Sequence, residues 1–344
     1  MELKKLIKIS KFAGERFDLI QAGGGNSSVK DGNKMLIKSS GYYLSEVSDS
    51  NGFSVVNNRK ILSLLNEEFS SDRDLNATRA SKIIEECTIE GKRPSIETLL
   101  HSMFKKYTLH THPISANIIC ASKNWQEILK NIFRDEKFTC VKYCTPGIEL
   151  ALELKKEMKN SPSDIVFLQN HGLIVSSDNE DEVMELTDYV VGKIDNYLNI
   201  DFKRYKLTNK ISELINNKED IAYLSEDSII NDFLNNTCES FLTKPFCPDK
   251  LVYCSIYPVF LSSLDNGPIK EFYEKYGDIP KIIVYDKCVF FIGKNVKKCK
   301  EVEEVFKFHL LTISNIANDQ RCFLSEDDIC YLQGWEAEKY RQKL

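Results

Sequence analysis

Histidine is scarce in this chain: its 344 residues contain five. Apolar residues make up 42% of it, yet no run reaches the roughly 18 residues of a membrane-spanning helix. The N-terminal MELKKLIKISKFAGERF lacks an apolar signal core. Its Leu3, Leu6, Ile7, Ile9 and Phe12, interleaved with lysines, read as an amphipathic helix. A soluble, unsecreted, cytoplasmic protein with no membrane partner is expected. Basic excess is also absent: 46 Lys and Arg stand against 51 Asp and Glu, a net charge of −5. No stripe is left to neutralise phosphates, which argues against nucleic acid as the main partner. The 11 cysteines include no paired C-x2-C spacing, Cys140 and Cys144 coming nearest as C-x3-C, so they read as reduced and mostly buried.

The length exceeds the usual single-domain size, and the pattern divides. Residues 1–200 alternate short apolar runs with helical periodicity. MLIKSS (35–40), YTLHTH (107–112), IVFLQN (165–170) and LIVSS (173–177) read as strands bounded by Gly, Pro, Asn or Asp. PSIETLLHSMFKKY reads as a helix with Ser95 as N-cap and Ile96, Leu99, Leu100, Met103 and Phe104 on its buried face. A second helix runs from Asp181 to about Leu198, with Tyr197 on its apolar stripe. Residues 201–250 are polar and read as a helical and loop connection. From 251 to 344 a smaller α/β unit follows: LVYCSIYPVF as strand, KIIVYDKCVFFIG as a hairpin folded at Asp286-Lys287, a helix near 298–318, and a last helix starting at Ser325 with Asp328 as capping partner. The fold class is α/β.

Two of the five histidines, His110 and His112, lie two apart in a strand, so they project from the same face and can hold one divalent metal. The pair can equally be a solvated strand face. His171, at the Gly172 turn after another strand, can supply a third ligand, and three imidazoles select zinc or a similar transition metal over magnesium or calcium. His309 sits on an apolar helical stripe and reads as a core histidine; His101, four residues after Glu97, can orient that carboxylate or serve structure alone. Glu97 itself can be a helix-dipole charge or a base beside the metal. QAGGGNSSVK (21–30) brings backbone close to something and offers Asn26, Ser27 and Ser28 as small donors; it is neither a P-loop nor GxGxxG, and a flexible turn is the alternative. KSSGYYL (38–44) repeats that chemistry and can close the other side of one anion site.

In order and spacing, GGGNSSVK, KSSG, PSIETLLH followed by HTHP, and NHGLIV resemble the class II aldolase/adducin family over residues 5–200. The resemblance implies a central β-sheet flanked by helices and a homo-oligomer, tetramer or dimer, with sites at subunit interfaces. It implies His110, His112 and His171 as zinc ligands (another divalent transition metal being possible), Glu97 as catalytic acid/base, and Gly25, Asn26, Ser40, Gly41 and Ser95 around the substrate phosphate. One departure stands out: two serines often precede the glutamate in family aldolases, whereas here Ser95 is followed by Ile96. KYCTPGIELA (142–151) aligns with the segment that lends a catalytic tyrosine to the adjacent subunit, with Tyr143 as candidate and core packing as the alternative. LSEDDICYLQGWEAEKYRQKL resembles the segment that joins the aldolase part of bifunctional rhamnulose-phosphate aldolases to a short-chain dehydrogenase. The chain stops at Leu344, where that dehydrogenase would begin, so no NAD site is expected, and Trp335, Glu336 and Tyr340 are read as structural.

The activity so implied is a zinc-dependent lyase that cleaves or forms a ketose phosphate through a metal-stabilised enediolate. Sugar-phosphate 4-epimerase and oxo-acid phosphate decarboxylase are alternatives on the same metal site. A non-catalytic adducin-like scaffold is a further one, disfavoured by retention of the three histidines and Glu97.

Overall fold

The computed structural model describes residues 2–215 and 220–334, and the chain divides into two units, Met1–Lys203 and Arg204–Leu344. Trp335, Glu336 and Tyr340 lie outside the described residues. The first unit is built on strands β1 (Asn26–Asp31), β2 (Lys34–Lys38), β3 (Phe53–Asn57), β4 (Thr88–Gly91), β5 (Tyr107–Thr111), β6 (Thr139–Val141), β7 (Ile165–Leu168) and β8 (Gly172–Ser177). They form one sheet in the order β4-β3-β2-β1-β5-β8-β7-β6, antiparallel except where β6 joins β7. Successive side chains of a strand face opposite ways. Accordingly Tyr107, Leu109, Phe167, Leu173 and Val175 enter one core with helices Glu2–Gly14 and Glu180–Leu198. Val166, Leu168 and Ile174 enter a second core with helices Arg73–Cys87, Thr98–Ser102 and Ile148–Asn160. The sheet is thus covered on both faces, the α/β class expected.

Strand β1 was hidden in the sequence because only Val29 of NSSVKD is apolar. It is nonetheless central, and its buried polar atoms need partners. Ser28 Oγ meets His101 Nδ1 at 2.8 Å, and Ser27 Oγ meets Ser10 Oγ at 2.7 Å. Lys30 Nζ donates to the carbonyls of His101, Phe104 and Lys105 at 2.7, 2.8 and 2.8 Å, closing the end of helix Thr98–Ser102. Burial pushes the Lys30 ammonium down to about 7.

That helix is shorter than the sequence suggests. Residues 93–95 are drawn into pairing with 38–40, so Ser95 is not the N-cap, Glu97 takes that place, and Ile96 is 48% exposed instead of buried. Tyr197 likewise points outward.

Arg16 ties the first unit together. Its fully buried guanidinium donates twice to Asp18, at 3.1 and 2.6 Å, and once to Asp188 at 2.7 Å. The segment it braces accepts hydrogen bonds from the residues that follow β5: His112 N–H to Leu19 O at 2.9 Å and Ile114 N–H to Asp18 O at 3.0 Å.

In the second unit, β9 (Ile221–Leu224), β10 (Val259–Phe260), β11 (Ile282–Tyr285) and β12 (Cys288–Gly293) form a sheet ordered β10-β11-β12-β9. The β11–β12 hairpin turns at Asp286 and Lys287, both at positive φ (48° and 58°), as a tight two-residue turn requires. Two expectations fail here. The polar stretch 201–250 carries strand β9, which pairs with β12, and LVYC is the end of helix Pro248–Cys254 instead of a strand. Pro248 at the first helical turn starts that helix, and Leu251 and Cys254, three apart, form its buried face. Helix Val296–Ser314 packs on the sheet, and Ser325 and Asp328 cap the last helix, Glu326–Gly334. His309 is a core histidine, bonded to Thr243 Oγ1 at 2.9 Å and stacked on Phe246. All 11 cysteines are unpaired; four are buried, four half-buried and three exposed. Among the described residues no helix is long and apolar enough to cross a membrane.

Burial holds His101 and His309 neutral, each pushed down to about 3, below the ordinary 6.5. The unfolded chain therefore binds more protons between pH 6.5 and 3, so stability is present above that window and falls as pH drops through it. The slope reaches about 1.4 kcal/mol per pH unit for each histidine. Urea titrations from pH 7 to 4 should show this fall, and His309→Phe should flatten it for the second unit. Arg16→Met should cost about 3–5 kcal/mol in the same titration at pH 7, because Asp18 is left buried without its cation.

Candidate metal centre and its carboxylate

Strand pairing builds the centre. β5 lies between β1 and β8, with Asn26 opposite His110 on one side and Ile174 opposite it on the other. His110 therefore points to the face that carries Glu97. Its Nδ1–H donates to the carbonyl of Leu173 at 3.1 Å, which leaves Nε2 as a lone pair. His171 arrives from the β7–β8 turn, where Asn170 takes the left-handed conformation (φ 53°).

The three Nε2 atoms converge: His112 to His110 at 3.1 Å and His110 to His171 at 3.3 Å. All three ligand atoms lie within 4.8 Å of one another. A tetrahedral ion with bonds of 2.0–2.1 Å separates its ligands by about 3.3 Å, so the donor set and both measured edges fit a metal of the zinc type. Close backbone approach is required around the His112 ring. A Cβ on Gly24 would stand 2.9 Å from its Nδ1, and one on Gly172 would stand 2.9 Å from its Cδ2 and 2.3 Å from Thr111 O. Burial, then the neighbouring His110 and His171, push His112 down to about 3, which keeps its lone pair available at neutral pH.

Glu97, 8% exposed, points its Oε1 into the cluster, 3.2 Å from His171 Nε2 and 3.4 Å from His110 Nε2. Burial by itself would raise this carboxyl. The neighbouring His110 and His171 outweigh it and hold the group well below the usual range. A cation shared by the imidazoles acts in the same direction. His101 does not orient the Glu97 carboxylate; its Nδ1 is bonded to Ser28, and its Nε2 is buried without a partner.

Beside the cluster, Gly25 (φ 65°) and Asn26 carry the chain from the glycine loop into β1. Asn26 is fully buried; its Oδ1 accepts the Ser27 N–H, and its Nδ2 donor has no partner. Ser40 and Gly41 (φ 84°) form the exposed turn after β2, and Ser95 Oγ accepts the Glu97 N–H at 3.3 Å. Tyr143 is 58% exposed, so its side chain does not pack into the core of its own chain, and its backbone N–H donates to Gln169 Oε1 at 3.2 Å.

Sequence reading passed over Lys38, whose nearly buried ammonium donates to Gly23 O at 3.2 Å and Tyr42 O at 2.7 Å. It joins the glycine loop to the turn after Gly41. It missed Lys30 as well, and the available signal for both was a lysine inside a strand otherwise destined for the core.

The family model of the Class II Aldolase and Adducin N-terminal domain matches residues 4–194. An L-fuculose phosphate aldolase of Methanocaldococcus jannaschii is 27% identical over 183 residues, 51% of this chain and 83% of that protein. The N-terminal class II aldolase domain of a conserved Thermoplasma acidophilum protein superposes with a TM-score of 0.51 at 22% identity, covering 58% of this chain and 94% of that one. The last of these shows a shared fold.

The centre leads to a binding prediction. Incubation with Zn²⁺ should load the purified chain, read by metal analysis after buffer exchange. His112→Ala should lower affinity by at least about 100-fold, and Gly24→Val, which crowds the ring without removing a ligand, by about 10-fold in a chelator competition.

Proposed function

Since the chain belongs to the class II aldolase and adducin family, we propose that residues 1–203 form a catalytic domain that cleaves or forms a ketose phosphate, a carbon–carbon lyase. The observation that carries this is the buried carboxylate of Glu97 set 3.2–3.4 Å from two of three converging imidazole nitrogens.

In this reading His110, His112 and His171 hold zinc or another divalent transition metal, which when bound supplies Lewis-acid stabilisation of negative charge on substrate oxygens. Glu97 takes or returns the proton at the nucleophilic carbon of the three-carbon fragment. Its ionised state suits the base role in the direction of carbon–carbon bond formation; in cleavage it must first receive a proton. Asn26, with its free Nδ2, and the turn of Gly25, Ser40, Gly41 and Ser95 bind and orient the phosphate end. Tyr143, exposed within its own chain, exchanges a proton with the aldehyde-forming oxygen at the site of a neighbouring copy, which makes a homo-oligomer part of the proposal. A reducing, cytoplasmic setting accords with the unpaired cysteines.

Glu97→Gln removes the proton carrier while preserving size. It should keep its metal and lose activity by about 100-fold or more, measured as dihydroxyacetone phosphate released from a ketose-phosphate panel. Substantial turnover by this variant would remove Glu97 from the mechanism. In the same panel an epimeric pentulose phosphate would mark a 4-epimerase, and carbon dioxide from an oxo-acid phosphate a decarboxylase. A protein that takes up no divalent ion would point to a scaffold.

A further inference from the structure

The phosphate end poses a problem of its own, because Ile96, between Ser95 and Glu97, offers no side-chain donor. The backbone around it shows what stands nearby. Ser39 and Pro94 form an antiparallel bridge, flanked by Ser40 N–H to Arg93 O at 2.9 Å and Ser95 N–H to Lys38 O at 3.4 Å. Ser40 is therefore directly opposite Arg93, and Lys38 opposite Ser95, and side chains two apart share a face. Lys38, Ser40, Arg93 and Ser95 occupy one side of this short ladder. Lys38 links that side to the metal centre, since it binds the carbonyl of Gly23 in the loop whose next residue, Gly24, lies against His112.

Three cations stand here, and two are engaged. Lys38 is buried on the Gly23 and Tyr42 carbonyls, and Lys92 Nζ is hydrogen-bonded to the Tyr42 hydroxyl. Arg93 is exposed, and its guanidinium has no hydrogen bond or ion pair among the described residues. Resting on the lyase reading above, we infer that Arg93 is the specificity-determining residue for a phosphate monoester on the substrate, meeting its charge where Ile96 cannot supply a hydrogen bond. A planar guanidinium can bind two phosphate oxygens at once, with the Ser40 and Ser95 hydroxyls completing the shell.

The test uses the metal-loaded full chain and calorimetric titration with inorganic phosphate, dihydroxyacetone phosphate and dihydroxyacetone. Arg93→Gln should weaken both phosphate ligands by at least about tenfold, leave dihydroxyacetone binding and metal content unchanged, and flatten the salt dependence of phosphate binding. Arg93→Lys should recover part of the loss. Wild-type affinity for both phosphate ligands in Arg93→Gln overturns the inference. An equal loss for dihydroxyacetone, or failure of the wild-type chain to bind either phosphate ligand, does the same. Turnover separates the two readings. Ketose-phosphate cleavage with an unchanged KM in Arg93→Gln sinks the arginine's role alone. Arg93-dependent phosphate binding without carbon–carbon cleavage sinks the lyase alone.

Discussion

Two pairs of imidazole nitrogens at 3.1 and 3.3 Å, in a pocket where one ring is fully buried and the other two partly so, set the constraint from which the first unit can be understood. Neutral rings that turn lone pairs toward one another repel, and rings that are all protonated repel more strongly in a medium of low dielectric. Such a cluster is stable only when a cation stands among the nitrogens or protons are shared with an anion beside them. The fold provides for both. Leu173 O fixes the tautomer of His110, and Glu97 brings a negative charge to 3.2 Å.

Holding that carboxylate in place requires an unusual central strand. Two side chains of β1 on the Glu97 side anchor the short helix behind it: Ser28 through His101, Lys30 through three carbonyls. A lysine buried this way is costly to desolvate, and hydrogen bonds to three carbonyls at the end of the helix and just beyond it offset that cost. On the opposite face Arg16 and Asp18 do the corresponding job for the segment bonded to His112 N–H. Charge inside this unit is therefore concentrated where it fixes the backbone that carries the histidines and the glutamate.

The glycine loop and the turn after β2 are joined by Lys38 into one rim, and the ladder of 38–40 with 93–95 continues that rim to Arg93. The same ladder explains why the helix after Pro94 begins late. Extended pairing through Ser95 is incompatible with helical dihedrals there, so Ile96 is turned outward, where its side chain lies against the position of Gly147, and the helix starts only after Glu97.

Much of this was legible in the residues themselves. The apolar runs at 107–112, 165–170 and 173–177 marked the strands and the Asp286-Lys287 pair marked a hairpin, whereas His110, His112, His171 and Glu97 were singled out together only by the family resemblance of the segments that carry them. The strand and hairpin signals are local, because period-two alternation and turn chemistry act within a few residues. What the residues alone could not carry was everything fixed by a partner far along the chain. NSSVKD becomes a central strand only because β2 and β5 flank it. LVYC differs, since Pro248, only three residues earlier, starts the helix that its apolar pattern does not reveal. The sequence by itself determined which side chains could bind a metal or move a proton. Tertiary structure alone decided that they meet, since a convergence of nitrogens from two separate strand ends depends on register across three strands, which no single segment encodes.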